Sequence, residues 1–283
     1  MGRSLDENRP IEDRLLLTKL TCGAALIRVV WDSPNPKFVS DVAEAVGESR
    51  DSPTRLTTAW QLYAMRAAIA PCVVYWCAGK GKWAAVSGLM SVAVSARTMA
   101  LVRGSIPGRL STRRHLHEVS SVIAVSDFLI AVGPSQEASA LAQRTRGRAL
   151  SGAQLMVAAV YTQAGIAKLK NGWSGWISQG SSPRNALAMS GTAFGRLLSK
   201  EDLSAAIARP VVLLELLSLP LVLVGDTGRR IVGLSNVSIH IGSNYAMRIS
   251  YWHLAWLTSV LLLLPDCLVK RLASALSWIG GRH

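Results

Sequence analysis

Eight apolar runs organise this chain: Leu15–Trp31, Thr57–Gly79, Trp83–Val102, Val119–Gly133, Leu150–Leu169, Ala205–Gly225, Ile231–Met247 and Ile249–Leu264. None of them carries more than two formal charges. A helix of about 20 mostly apolar residues crosses a bilayer. The expectation is therefore an all-α fold, a multi-pass transmembrane helical bundle of about eight spans. The fourth run is short, and the seventh carries several polar residues. The largest non-apolar stretches are Asp32–Leu56 and Lys170–Asp202, so residues 1–283 read as a single integral membrane domain. No internal repeat is visible.

Composition removes the alternatives. Hydrophobic residues make up 50% of the chain and charged residues 17%, below the roughly 25% usual for soluble chains. Disorder needs low hydrophobicity, which is absent. Four cysteines in 283 residues do not make a disulfide scaffold. The charge balance is 31 − 17 = +14. The cations are scattered between apolar runs instead of forming one patch, which argues against nucleic acid as a partner. The partner implied is the lipid bilayer.

Met1–Arg14 holds charges of both signs and no small-residue cleavage site, so it does not read as a cleaved signal peptide. Asp6 stands where myristoylation needs Ser or Thr. With eight spans, the N-terminus and the short basic loops at Lys80/Lys82, Arg144/Arg146/Arg148, Arg229/Arg230 and Lys270/Arg271 share one side. The positive-inside bias makes that side cytoplasmic. The basic loop Arg103–His117 falls on the opposite side. The fifth span then ends outside the cytoplasm near Lys168.

Cys22, Cys72 and Cys77 sit inside apolar runs and Cys267 follows the last one. They read as small buried hydrophobes. His115 and His117 lie two apart without a second ligand pair, so no metal site is expected.

Polar residues inside apolar runs carry the functional information, because they are expensive in lipid. Their other role is to join helices by hydrogen bonds. The candidates are Arg66, Arg97, Asp127, Gln163, Lys168, Glu215, Asn236, His240, Asn244, Arg248 and His253. Two groups stand out. In Tyr161-Thr-Gln163-Ala-Gly165-Ile-Ala-Lys168-Leu169, the helical period puts Tyr161, Ala164/Gly165 and Lys168 on one face. Small residues there allow close approach of a neighbouring helix or substrate. The Gly and Trp residues after Lys170 fit a helix exit at the membrane interface, where Lys168 could equally be a snorkelling anchor. In the second group, Asn236, His240 and Asn244 recur at i, i+4, i+8 and form a polar stripe that must turn inward. Glu215, in Leu213-Leu-Glu-Leu-Leu217, is the counter-charge for a buried cation.

These residues also resemble a known family. Tyr161 to Leu169, then Trp173 and Gly175, then Ala186-Leu187, is similar to the signature of the horizontally transferred transmembrane (HTTM) domain. Vitamin K-dependent gamma-carboxylases share that domain. Leu214-Glu215-Leu216, His240-Ile-Gly242 and Met247 fit its order. The Ala167-Lys168-Leu-Lys170 wording and Phe194-Gly195 resemble the sporulation-delaying-protein B-like branch, bacterial proteins encoded beside secreted peptide toxins. The resemblance covers a core of about residues 150–264. It implies that Lys168 matches the carboxylase lysine that deprotonates reduced vitamin K, so a reduced quinone as cofactor rests on resemblance only. Such a base must be a neutral amine, the form that burial favours. Ala167 stands where the carboxylases carry a second lysine, which turns the implied chemistry toward peptide-toxin maturation and away from glutamate carboxylation.

Two functions follow as expectations. In the first, the chain is a membrane enzyme or enzyme subunit that matures a secreted peptide, or acts on a lipid-soluble substrate. The catalytic candidates are Lys168, His240 and Glu215; the substrate-binding candidates are Tyr161, Gln163, Asn236 and Asn244. In the second, it is a non-catalytic membrane factor for export of, or immunity to, a secreted peptide. The partners in either case are that peptide and an operon-encoded protein. A close-packed Lys168–Glu215 pair with no cavity points to the second; a water-lined opening around Lys168 and His240 points to the first.

Overall fold

The computed structural model describes residues 9–32, 53–105, 114–133, 138–248 and 251–279. All regular structure among them is helical, as the sequence led us to expect. The helices are α1 (Arg9–Trp31), α2 (Pro53–Ala78), α3 (Gly81–Ser105), α4 (Arg114–Val132), α5 (Ala138–Gly172), α6 (Ser181–Met189), α7 (Ala193–Leu198), α8 (Glu201–Val224), α9 (Asp226–Met247), α10 (Trp252–Thr258) and α11 (Asp266–Ile279). Two π-helical segments, Trp173–Ser178 and Ser259–Leu263, follow α5 and α10 without a break. The described part of each of the eight apolar runs falls on helical segments. Among the described residues one helix, Asp202–Val224, is long and apolar enough to cross a membrane; Trp252–Leu263 is a shorter apolar helix.

Two expected loops differ. Arg144, Arg146 and Arg148 stand in the first turns of α5. Ala, Leu, Gln and Arg favour helix here and outweigh Thr145 and Gly147 between the arginines. Arg146 is held there by Glu12 at 2.6 Å. Lys170–Asp202 is occupied by the first π-helical segment, α6 and α7. Most of Asp32–Leu56 lies outside the described residues, as does the middle of the basic loop Arg103–His117.

The chain divides into two compact units, residues 1–150 with 270–283, and residues 151–269. In the first, α2 and α3 form a hairpin through Gly81, whose φ of +77° suits glycine. α1 packs against α2, α3 and α4. Gly23 lets α1 close on α2: a Cβ there would meet Val73 Cγ1 at 2.6 Å. Leu26, Leu62, Ile69, Trp76 and Val119 fill this core. Ser91, Ser95, Thr98 and Ser120 are buried beside them. Ser91 and Thr98 bond the carbonyl four residues back in their own helix.

In the second unit α8 and α9 form a hairpin through Gly225, at φ +128° and ψ −160°, a region open to glycine alone. α9 packs against α6, α7, α8, α10 and the second π-helical segment. Gly233 makes the last approach possible, since a Cβ there would lie 2.9 Å from Leu263 Cβ.

The buried interior is mainly apolar, yet several large apolar side chains face outward and several small polar ones lie inside. Trp60, Trp83, Leu129, Leu223 and Leu234 are each more than half exposed, while Ser95, Ser218, Asn236 and Thr258 are fully buried.

Candidate functional site

The second unit gathers buried polar groups along one face of α5. Tyr161 is first. Its hydroxyl lies 2.7 Å from His240 Nε2 on α9 and 2.8 Å from Thr258 Oγ1 at the end of α10. The three side chains come from three helices and all are buried. The His240 ring also stands 5.5 Å from the Tyr251 ring.

One turn on, Gly165 lets α5 press against α8. A Cβ there would lie 2.9 Å from the Leu216 amide nitrogen and 3.1 Å from Glu215 Cβ. The neighbouring Thr162 hydroxyl accepts from the Leu219 amide at 3.0 Å and donates to the Glu215 carbonyl at 3.2 Å. That hydroxyl stands between Leu219 N–H and Glu215 C=O, groups an uninterrupted α-helix would pair. Pro220, next along α8, has no N–H to offer the Leu216 carbonyl. Thr162 is thus wedged into α8 at the turn that carries Glu215, and it fixes where that carboxylate sits.

Two turns from Tyr161, the Lys168 ammonium meets Glu215 Oε1 in an ion pair. The pair is asymmetric: the Glu215 side chain is 7% exposed and the Lys168 side chain 20%. The ammonium also rests 4.4 Å from the centre of the Trp176 ring, a cation–π contact. Trp176 belongs to the first π-helical segment, and such segments recur at functional sites. Arg209 holds that segment by donating to the Ile177 carbonyl at 3.0 Å. Both clusters stand on one face of α5, either side of Gly165.

Two acceptors in this region have no donor. Glu215 Oε2 and Asn236 Oδ1 are buried without a hydrogen-bond partner. Asn236 donates its Nδ2 to Ser218 Oγ at 3.2 Å, and Ser218 stands one turn from Glu215 on α8. A buried acceptor left unmet costs about 1–3 kcal/mol.

Of the residues expected from sequence, Tyr161, Lys168, Glu215, Asn236 and His240 come together here. Gln163 and Asn244 do not: both are exposed. Asn244 is the last of its stripe, in the final turn of α9, where its carbonyl accepts from the Arg248 amide of the left-handed cap. At about 100° per residue Gln163 falls on the face of α5 opposite Tyr161 and Lys168. Sequence reasoning missed Thr162, Ser218 and Thr258, which carry no charge and form no pattern. It assigned Trp176 to a membrane interface and not to the ammonium of Lys168. Among the described residues no group of three or more His, Cys, Asp or Glu side chains could hold a metal ion. Protein-family models, curated proteins and solved structures yield no match to this chain.

Proposed function

We propose that the chain is a multi-pass integral membrane protein whose second unit performs proton-transfer chemistry on a secreted peptide or a lipid-soluble substrate, with Lys168 as the base. The membrane reading is supported by the outward-facing tryptophan and leucine side chains and by Asp202–Val224, a helix long and apolar enough to span. In water those exposed aromatic and leucine side chains would be an aggregation hazard; in lipid they are the solvated face.

The observation that carries the site is the Lys168–Glu215 pair beside acceptors that lack donors. Moving one proton from the ammonium to the carboxylate yields a neutral amine and a carboxylic acid. The net charge does not change, and the neutral form avoids the desolvation cost that an ion pair bears in a low-dielectric surrounding. The amine then removes a proton from the substrate, and Glu215 holds the proton it received. The free acceptors Glu215 Oε2 and Asn236 Oδ1 suit a substrate that presents hydrogen-bond donors, such as a peptide amide or a hydroxyl. Tyr161, His240 and Thr258 extend the polar chain on the other side of Gly165. The HTTM-like resemblance belongs with this reading, which expects a small secreted peptide encoded beside the gene.

A second reading is favoured by the same pair, because a close-packed Lys168–Glu215 contact is the arrangement expected of a non-catalytic factor. If Lys168 and Glu215 serve only to lock α5 to α8, the chain is a non-catalytic factor for peptide export or immunity. Lys168→Arg separates the two. Arginine keeps the charge and the bidentate reach to a carboxylate but stays protonated at any usable pH. We expect Lys168→Arg and Lys168→Gln to abolish peptide maturation in cells at unchanged membrane protein level. Full maturation by Lys168→Arg would leave the structural reading.

A further inference from the structure

α11 differs from the other long helices. Its 14 residues reach about 21 Å at 1.5 Å per residue, short of the roughly 30 Å hydrocarbon core of a bilayer. It follows Pro265, which separates it from the apolar segment Trp252–Leu263. Leu268, Leu272 and Leu276 recur at i, i+4, i+8 and are 42%, 36% and 42% exposed. Val269 and Ala273, on the adjoining edge of the same apolar face, are buried. The helix therefore uses one edge of its apolar face against the protein and leaves a leucine stripe uncovered. Lys270 and Arg271 are exposed on the polar side.

We propose that α11 lies in the plane of an anionic membrane surface. The leucine stripe sits among the upper acyl chains, and Lys270 and Arg271 stand at the level of the lipid phosphates. An apolar stripe with cations on the polar face is the pattern of interfacial helices, which sink about 5–10 Å into the headgroup boundary. Long cationic side chains reach back to the phosphates from that depth. Charge complementarity selects the occupant, since this chain carries +14 overall and α11 exposes Lys270 and Arg271. A second copy of this cationic chain has no such selection in its favour. The inference rests on the membrane reading above but not on the chemistry of Lys168.

The test uses the full chain with Cys22→Ala, Cys72→Ala, Cys77→Ala and Cys267→Ser, in nanodiscs of phosphatidylcholine with or without phosphatidylglycerol. A spin label is placed at Leu272→Cys and, as a control on the apolar helix α8, at Leu213→Cys. We expect both labels to collide with oxygen more than with a water-soluble nickel chelate, with position 272 about 5–10 Å below the phosphates. A lipid-exposed label at 213 with a water-exposed label at 272 overturns the α11 proposal and leaves the membrane reading standing. Water exposure at both positions overturns both. An immobilised label at 272 that ignores lipid composition shows a protein covering the stripe, and also overturns the proposal. Hydrogen exchange of the unaltered chain checks the same point without cysteine replacement. Phosphatidylglycerol should slow exchange across residues 266–276. Each cation near an anionic leaflet contributes about a fivefold preference, so Lys270→Gln with Arg271→Gln should weaken this protection by about 30-fold. Equal exchange in the two lipid compositions refutes the charge argument.

Discussion

The asymmetry of the Lys168–Glu215 pair makes a quantitative prediction. Glu215 is 5% exposed and one of its oxygens already lacks a donor. Lys168→Met removes the donor of the other, and an uncompensated buried charge costs about 3–5 kcal/mol. Glu215→Met strands the lysine, but that side chain is 20% exposed and keeps the Trp176 ring at 4.4 Å. It can turn outward, so the loss should be smaller, about 1–2 kcal/mol. The double variant replaces the pair by apolar side chains of similar length, which for buried pairs is neutral or stabilising by about 1–4 kcal/mol. The double-mutant cycle should therefore show a coupling of at least about 4 kcal/mol, far above the 0.3–0.5 kcal/mol scatter of independent sites. The assay is reversible denaturant unfolding of the purified full chain in one fixed detergent, followed by tryptophan fluorescence. Additive losses in the double variant would refute the pairing. A larger loss for Glu215→Met than for Lys168→Met would refute the assignment of Glu215 as the more deeply held partner.

Three further outcomes follow from neighbouring contacts and are read by the same unfolding assay. Tyr161→Phe removes the hydroxyl that meets His240 and Thr258 and should lose about 1–3 kcal/mol, because two buried groups lose a partner; an unchanged midpoint would count against that junction. Gly165→Ala puts a Cβ 2.9 Å from the Leu216 amide nitrogen. The resulting overpacking, about 1–3 kcal/mol, should outweigh the roughly 1 kcal/mol that alanine gains in helix propensity, so a stabilised variant contradicts the close approach of α5 and α8. In the first unit Asp127 accepts both the Trp76 indole N–H and the Lys19 ammonium at 2.9 Å; Trp76→Phe should cost about 1.5–3 kcal/mol, as expected for a hydrogen bond to a charged group, and no loss would show the indole bond to be dispensable.

The helical class was legible because it rests on a property that every long window of the sequence carries, the density of apolar residues. Helix bounds were less legible. α5 begins at Ala138, well before the apolar run at Leu150, because Arg144, Arg146 and Arg148 are good helix formers whose charge says nothing against helix, only against lipid. A reading based on hydropathy alone finds where a helix can be solvated by lipid, not where its hydrogen bonds start. The same confusion made the segment after Lys170 look like a loop, although it holds two short helices and a π-helical stretch.

The candidate site was legible where a charge or a period marked it and illegible where only geometry did. Lys168, Glu215, Asn236 and His240 announce themselves because a charge or amide inside an apolar run demands a partner. Which cation Glu215 meets was not in the sequence; the 47-residue separation of Lys168 and Glu215 is closed by Gly165, which sets the distance between α5 and α8. Thr162 is the clearest case of a hidden role. Its hydroxyl matters because Pro220, on another helix, withholds a donor from the turn that carries Glu215. Neither residue is unusual alone, and only the packing of α5 on α8 makes them one feature. Periodicity, in turn, overreached at Asn244: the i, i+4, i+8 stripe is a statement about a helix face, but burial also depends on how far along its axis a helix is covered. Asn236 meets Ser218 of α8 and His240 meets Tyr161 of α5, and Asn244 lies beyond, in the turn that ends at Arg248. A face of a helix becomes a site only over the length that its neighbours enclose.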